Sequence, residues 1–196
     1  MSSSLMRRKL PELFLEAAMI FFAVVLALAA EEWREQKDRQ ELADRALRSV
    51  VEEMRSNLEE LEVTGVRNAE RLESASAVLA ELEAGRDQGG ADVGLEVALL
   101  SSAAWQSAQM SQAVQYLDFG VMRELSEVYE VQDLYLQVQS AAVDNMTDAM
   151  RTAQDDPAAA VRQGVISLAL LGDLRTSLAE VYGNALEELE SDDGAR

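Results

Sequence analysis

The sequence predicts an all-α protein: an N-terminal transmembrane helix continuous with an antiparallel bundle of about four helices. Three observations carry this. No charge interrupts the apolar run from Ala17 to Ala30. Apolar residues then recur at alternating spacings of four and three over long parts of the remaining chain. Proline occurs only twice, at Pro11 and Pro157, while Ala, Leu, Glu, Gln and Arg dominate and aromatics are few, the composition of long helices.

The span comes first. Residues 13–30 number 18, about 27 Å as a helix, close to a hydrocarbon core of about 30 Å. Pro11 suits a helix start, because a first-turn proline forfeits no hydrogen bond. Trp33 falls where an interfacial aromatic anchors the far end. Arg7, Arg8 and Lys9 make residues 1–12 a short basic segment, which predicts a cytoplasmic N-terminus and an outward-facing remainder. A second reading takes Ala27-Leu28-Ala29 as a small-x-small cleavage signal behind a basic n-region. Against cleavage, Glu16 interrupts the step from basic to apolar, and the helical pattern runs on through "EEWREQKDRQELADRALRSVVEEM" without a breaker. Glu16 has two readings of its own. It snorkels to the interface near the positive helix end, or it contacts a partner in the membrane.

Residues 31–190 are expected to form an acidic helical bundle, with helices at about 31–84, 95–115, 119–154 and 157–190 and a flexible tail at 191–196. In the first helix, Leu47, Val51, Met54, Leu58, Leu61, Gly65, Asn68, Leu72, Ala75, Leu79 and Leu82 form a heptad stripe. Gly65 and Asn68 are its exceptions, marking either a fixed register or a wider part of the bundle. "AGRDQGGADVG", residues 84–94, reads as a loop. "LEVALLSSAAWQSAQMSQAV" reads as a shorter helix, and Asp118 as the N-cap of the next. That helix carries Met122, Leu125, Tyr129, Gln132, Leu136, Gln139, Val143, Met146, Met150 and Ala153 on one stripe, with Gln132 and Gln139 as polar interruptions. Asp156 and Pro157 open the last helix, whose inner face runs from Val161 through Leu168, Leu178 and Leu189.

Charge and composition exclude several functions. The chain holds 17 basic and 36 acidic residues, a net charge of −19. Residues 1–30 contribute +1, from Arg7, Arg8 and Lys9 against Glu12 and Glu16, so the rest carries −20. Such a body repels nucleic acid and anionic lipid. With no cysteine and no histidine, thiol catalysis, disulfides, Cys/His zinc sites and histidine acid–base chemistry are absent. No phosphate-binding, nucleophile-elbow or metalloprotease motif occurs. No catalytic residue, metal site or cofactor is nominated.

The segment with most character is residues 101–135. It gathers Trp105, Tyr116, Phe119, Tyr129 and Tyr135, half of the 10 aromatics, with Met110 and Met122. It is either a core plug or a groove for a partner, with Gln106, Gln109 and Gln112 as polar contacts.

Glu16, Ala27 with Leu28, Trp33, Trp105 and Tyr129 also carry a resemblance. Over roughly residues 10–60 and 100–136 the chain resembles a family of uncharacterised bacterial single-pass membrane proteins, with an early glutamate in the span, an Ala-Leu pair and then a tryptophan. A mid-span glycine of that pattern is missing here. The resemblance implies a retained anchor in the bacterial inner membrane with a periplasmic body, and it brings no assigned activity with it.

Two classes of function follow as expectations. One is an interaction or scaffold component of the envelope, bound to the bilayer and acting through self-association along the first helical seam or through another membrane protein. The other is a ligand-sensing four-helix module that acts through a partner. Glu16, Trp33, Trp105, Tyr116, Phe119 and Tyr129 are the candidate contacts for partner or membrane.

Overall fold

The computed structural model describes residues 3–86 and 94–193. These form four α-helices and one 3-10 turn with no strand: α1 (Ser3–Glu83), α2 (Ala103–Met110), the 3-10 turn Ala113–Tyr116, α3 (Phe119–Thr152) and α4 (Pro157–Asp193). The fold is an all-α helical bundle grown onto a long apolar helix.

α1 is one unbroken helix of 81 residues, about 120 Å long. It is long and apolar enough in its first part to cross a membrane. Every side chain from Phe14 to Glu41 is exposed, and the first buried one is Ala43. An exposed face of Phe14, Met19, Ile20, Phe21, Phe22 and Leu28 is stable in lipid, not in water. The helix begins ahead of Pro11, contrary to the expected start there. A proline removes one donor and the bond to the carbonyl four residues back, which a long helix tolerates.

α1 ends as its sequence dictates. Gly85 takes φ +71°, its N–H reaches the Leu82 carbonyl at 3.0 Å, and the Arg86 N–H reaches that of Glu81 at 3.0 Å. This is the paired closing bond of a glycine-terminated helix, and the left-handed residue there favours glycine. Of the expected loop 84–94, residues 87–93 lie outside the described residues. Both expected caps are present: Asp118 Oδ1 accepts from the Gly120 N–H at 2.7 Å and Asp156 Oδ1 from the Ala159 N–H at 2.9 Å.

α4 packs along both α1 and α3. It runs antiparallel to α1, with the Arg162–Glu83 and Arg55–Glu190 pairs (each 2.6 Å) towards its two ends. The α1 stripe is buried or half-buried throughout, with Met54 and Leu61 fully enclosed. This seam is therefore filled within the chain, largely by α4. Gly65 has a local reason: a Cβ there would lie 2.5 Å from Arg175 Cδ, so the arginine stem occupies the space a side chain would take. On α3 the stripe is only partly covered towards its end, where Val143 and Met150 are exposed but Met146 between them is buried.

The second arm departs from expectation. Residues 95–102 are not helical, and the helix expected over 95–115 shrinks to α2 and the 3-10 turn. Glu96 bonds to Asn68 and Ser101 to Asn57. Five residues thus cross eleven positions of α1, about 16 Å, or about 3.3 Å per residue, the rise of extended chain. The arm descends beside α1, while α3 rises parallel to it. The up-down-up-down order of a four-helix bundle is kept, with an extended strip as the upper half of one arm.

Candidate functional site

An extended strip among helices has unpaired backbone donors and acceptors, and burying them unpaired costs about 1–3 kcal/mol each. Side-chain amides answer this. Asn68 accepts from the Glu96 N–H and donates to the Glu96 carbonyl, both at 2.8 Å. Gln139 accepts from the Ala98 N–H at 2.8 Å and donates to its carbonyl at 3.1 Å. Asn57 accepts from the Ser101 N–H at 2.8 Å and donates to its carbonyl at 2.7 Å. A carboxamide has one donor and one acceptor side by side, which suits it to a single extended residue.

The lowest clamp is part of a buried network. Gln132 donates to the same Ser101 carbonyl at 3.2 Å, the Tyr182 hydroxyl donates to Gln132 Oε1, and Asn57 Nδ2 donates to the Tyr182 oxygen at 3.1 Å. Asn57, Gln132 and Tyr182 are almost wholly enclosed. Burial lifts the Tyr182 phenol above its ordinary value, so it remains a protonated donor. Among the described residues no buried side-chain nitrogen or oxygen lacks a partner.

Glu53 extends the network downward. Its carboxylate accepts from Ser101 Oγ (2.6 Å), the Ala104 N–H (2.9 Å), the Trp105 N–H (3.4 Å) and the Tyr129 hydroxyl (2.7 Å). α2 has no side-chain cap of its own at Ser102, so a carboxylate on another helix caps it and faces its positive end. Burial and the adjacent Glu53 carboxylate keep the Tyr129 phenol protonated well beyond its usual range. Tyr129 also stacks on Trp105, ring centres 5.4 Å apart and planes 5° from parallel.

That stack floors a cleft between α2 and α3 of about 780 Å³. Gln106 and Gln109 form the α2 wall, and Gln137, Glu130 and Asp133 the α3 wall, with Leu134 between them. All six are exposed, so the cleft opens to solvent. Among its described lining residues there is no lysine or arginine.

The candidate residues separate accordingly. Trp105 and Tyr129 come together at the cleft floor. Tyr116 lies outside it, half-exposed beneath the Arg39 guanidinium at 5.9 Å. Phe119 is exposed at the start of α3, and Trp33 and Glu16 lie on the exposed part of α1. Of the three glutamines, Gln106 and Gln109 line the cleft, whereas Gln112 takes a positive φ at the head of the 3-10 turn. Glu53, Asn57 and Tyr182 escaped the sequence reading. The signal for the clamps was present in Asn68, Gln132 and Gln139, the polar breaks in otherwise apolar stripes.

Two carboxylates give the bundle opposing pH responses. Burial acts upward on Glu53, but the bonds from Ser101, the Ala104 N–H and Tyr129 together prevail and hold its pKa below the usual 4.5. Its stabilising effect is present above 4.5 and lost as pH falls through the lowered value. Glu124 is raised, first by burial and then by the Glu188 carboxylate on α4. Its cost is present at neutral pH and relieved as pH falls through the raised value. Unfolding of the full chain in mild detergent is therefore expected to show stability rising on acidification towards 4.5, then falling. Glu124→Gln weakens the first limb and Glu53→Gln the second, to which Glu81, held low by Arg86, also contributes. Identical profiles for wild type and both variants refute this assignment.

No family model, curated protein or solved structure matches the chain.

Proposed function

We propose that this protein is a non-enzymatic, membrane-anchored interaction component of the bacterial envelope, with its N-terminus cytoplasmic and its acidic bundle periplasmic. The observation that carries the reading is the continuity of α1. The same helix is bare and uncharged from Ala17 to Ala30 and then enters the core at Ala43, which ties the bundle rigidly to whatever covers the apolar part. Arg7, Arg8 and Lys9 ahead of the span support the orientation. With the α1 seam filled by α4, another membrane protein is a better partner than a second copy.

Intact mass on carbonate-washed membranes tests the anchor. Full-length mass in the embedded fraction is expected, with the bundle open to protease only from the periplasmic side. A soluble species lacking residues 1–29 overturns the anchored reading.

The cleft favours a second reading, a ligand-sensing module. Its floor is bonded to Glu53 on α1, so a ligand there has mechanical access to the membrane helix. A thermal-shift screen with amino acids, dicarboxylates and divalent cations that leaves the melting temperature unmoved removes this alternative.

A further inference from the structure

The bundle holds extended peptide by a defined chemistry, and it presents the same chemistry a second time on an open surface. Internally, amides on α1 and α3 grip residues 96, 98 and 101 over eleven positions of α1. Externally, the α3 wall of the cleft runs from Ser126 to Gln137, again eleven positions and about 16 Å, the length of about five extended residues. The amides of Gln109 and Gln137 are bonded to no other side chain among the described residues, while Gln106 Nε2 donates to Ser102 Oγ at 2.8 Å.

Charge and floor narrow the occupant. Glu130 and Asp133 stand on the α3 wall with no basic residue among the described lining, and residues 31–196 carry −20. An anionic occupant is repelled, and a cationic one is attracted at some distance. The Trp105–Tyr129 stack and the half-exposed Leu134 offer an apolar seat for the intervening side chains. A small polyamine meets the carboxylates but leaves the amides without backbone to bond.

We infer that the α2/α3 cleft docks an extended segment of a partner polypeptide bearing lysine or arginine. Gln106, Gln109 and Gln137 grip its backbone, while Glu130 and Asp133 take its cationic side chains. The inference rests on the interaction-protein reading and names the chemistry of the partner.

The test uses full-length protein in zwitterionic nanodiscs with Trp33→Phe, which leaves Trp105 as the sole tryptophan and a reporter at the cleft floor. The probe is a pool of acetylated and amidated Lys-X-Lys-X-Lys pentapeptides, with X drawn from Ala, Val, Leu and Thr. A saturable change in Trp105 emission is expected, absent with the Glu-X-Glu-X-Glu pool. Glu130→Gln with Asp133→Asn, or Gln106→Ala with Gln137→Ala, is expected to weaken it about tenfold or more. N-methylation of the X residues is expected to do the same, since it removes backbone donors. These wall residues are exposed, so the variants keep wild-type helical circular dichroism.

No saturation by the lysine pool up to about 1 mM overturns the proposal. So does binding indifferent to both the glutamine changes and N-methylation, or matched by spermine, because the cleft then reads charge alone. Either failure, with full-length protein still embedded in carbonate-washed membranes, leaves the anchored reading intact.

Discussion

Asn57→Leu is expected to destabilise the bundle by about 3 kcal/mol or more, although leucine has the same branched skeleton as asparagine and suits an apolar seam. The change removes no packing. It strands the Ser101 N–H, takes one of two donors from the Ser101 carbonyl and leaves the Tyr182 oxygen without its donor. Each buried polar group left unpaired costs about 1–3 kcal/mol, and neighbours in one network are not additive. Urea unfolding of the full chain in mild detergent measures the loss. Gln132→Leu added to Asn57→Leu is expected to cost less than the sum of the two single changes, since the network is already broken. Strict additivity, or a single-mutant loss below about 1 kcal/mol, refutes the network.

Trp105→Ala is expected to lower stability by about 3–5 kcal/mol, the usual range for deleting a buried aromatic. Trp105 is 7% exposed and contacts the core cluster through its stack with Tyr129. The loss falls on α2, which has only eight residues and no side-chain cap of its own, so that the Glu53 bonds and the small buried Ala108 are left to hold it in place. Hydrogen exchange should therefore accelerate first across residues 95–117, while α3 and α4 remain protected. Uniform acceleration over all helices tells against a separately anchored arm. Trp105→Phe, which keeps a ring for Tyr129 to stack on, is expected to recover more than half of the protection.

Both results turn on residues whose types are ordinary and whose placement is not. The stripes of α1, α3 and α4 were legible because each apolar position repeats at helical spacing and three helices suffice to bury them. Asp118 and Asp156 were legible as caps, and the glycine-rich run 84–94 as a stop, because their effect is local: a short side chain or a missing Cβ acts on backbone within a few residues. "LEVALLSS" was misread as helix because its apolar content fits either state over so few residues. Its partners are Asn57, Asn68, Gln132 and Gln139, 28 to 44 positions away in sequence. Those amides were visible only as blemishes in apolar stripes. A pair of such blemishes on two helices is a signal that extended chain passes between them.

By itself, then, the sequence determined an all-α chain with an apolar N-terminal helix, the close of α1, the starts of α3 and α4 and an acidic body without thiol or imidazole chemistry. All of these follow from periodicity, composition and contacts within a few residues. Only the tertiary structure decided that one arm is half extended, that Glu53 caps a helix fifty residues on, and that Trp105 and Tyr129 floor an open cleft while Tyr116 and Phe119 stay outside it. The physical reason is common to all three. A backbone polar group must find a partner, and where the local chain supplies none, the partner comes from whichever helix packing brings alongside.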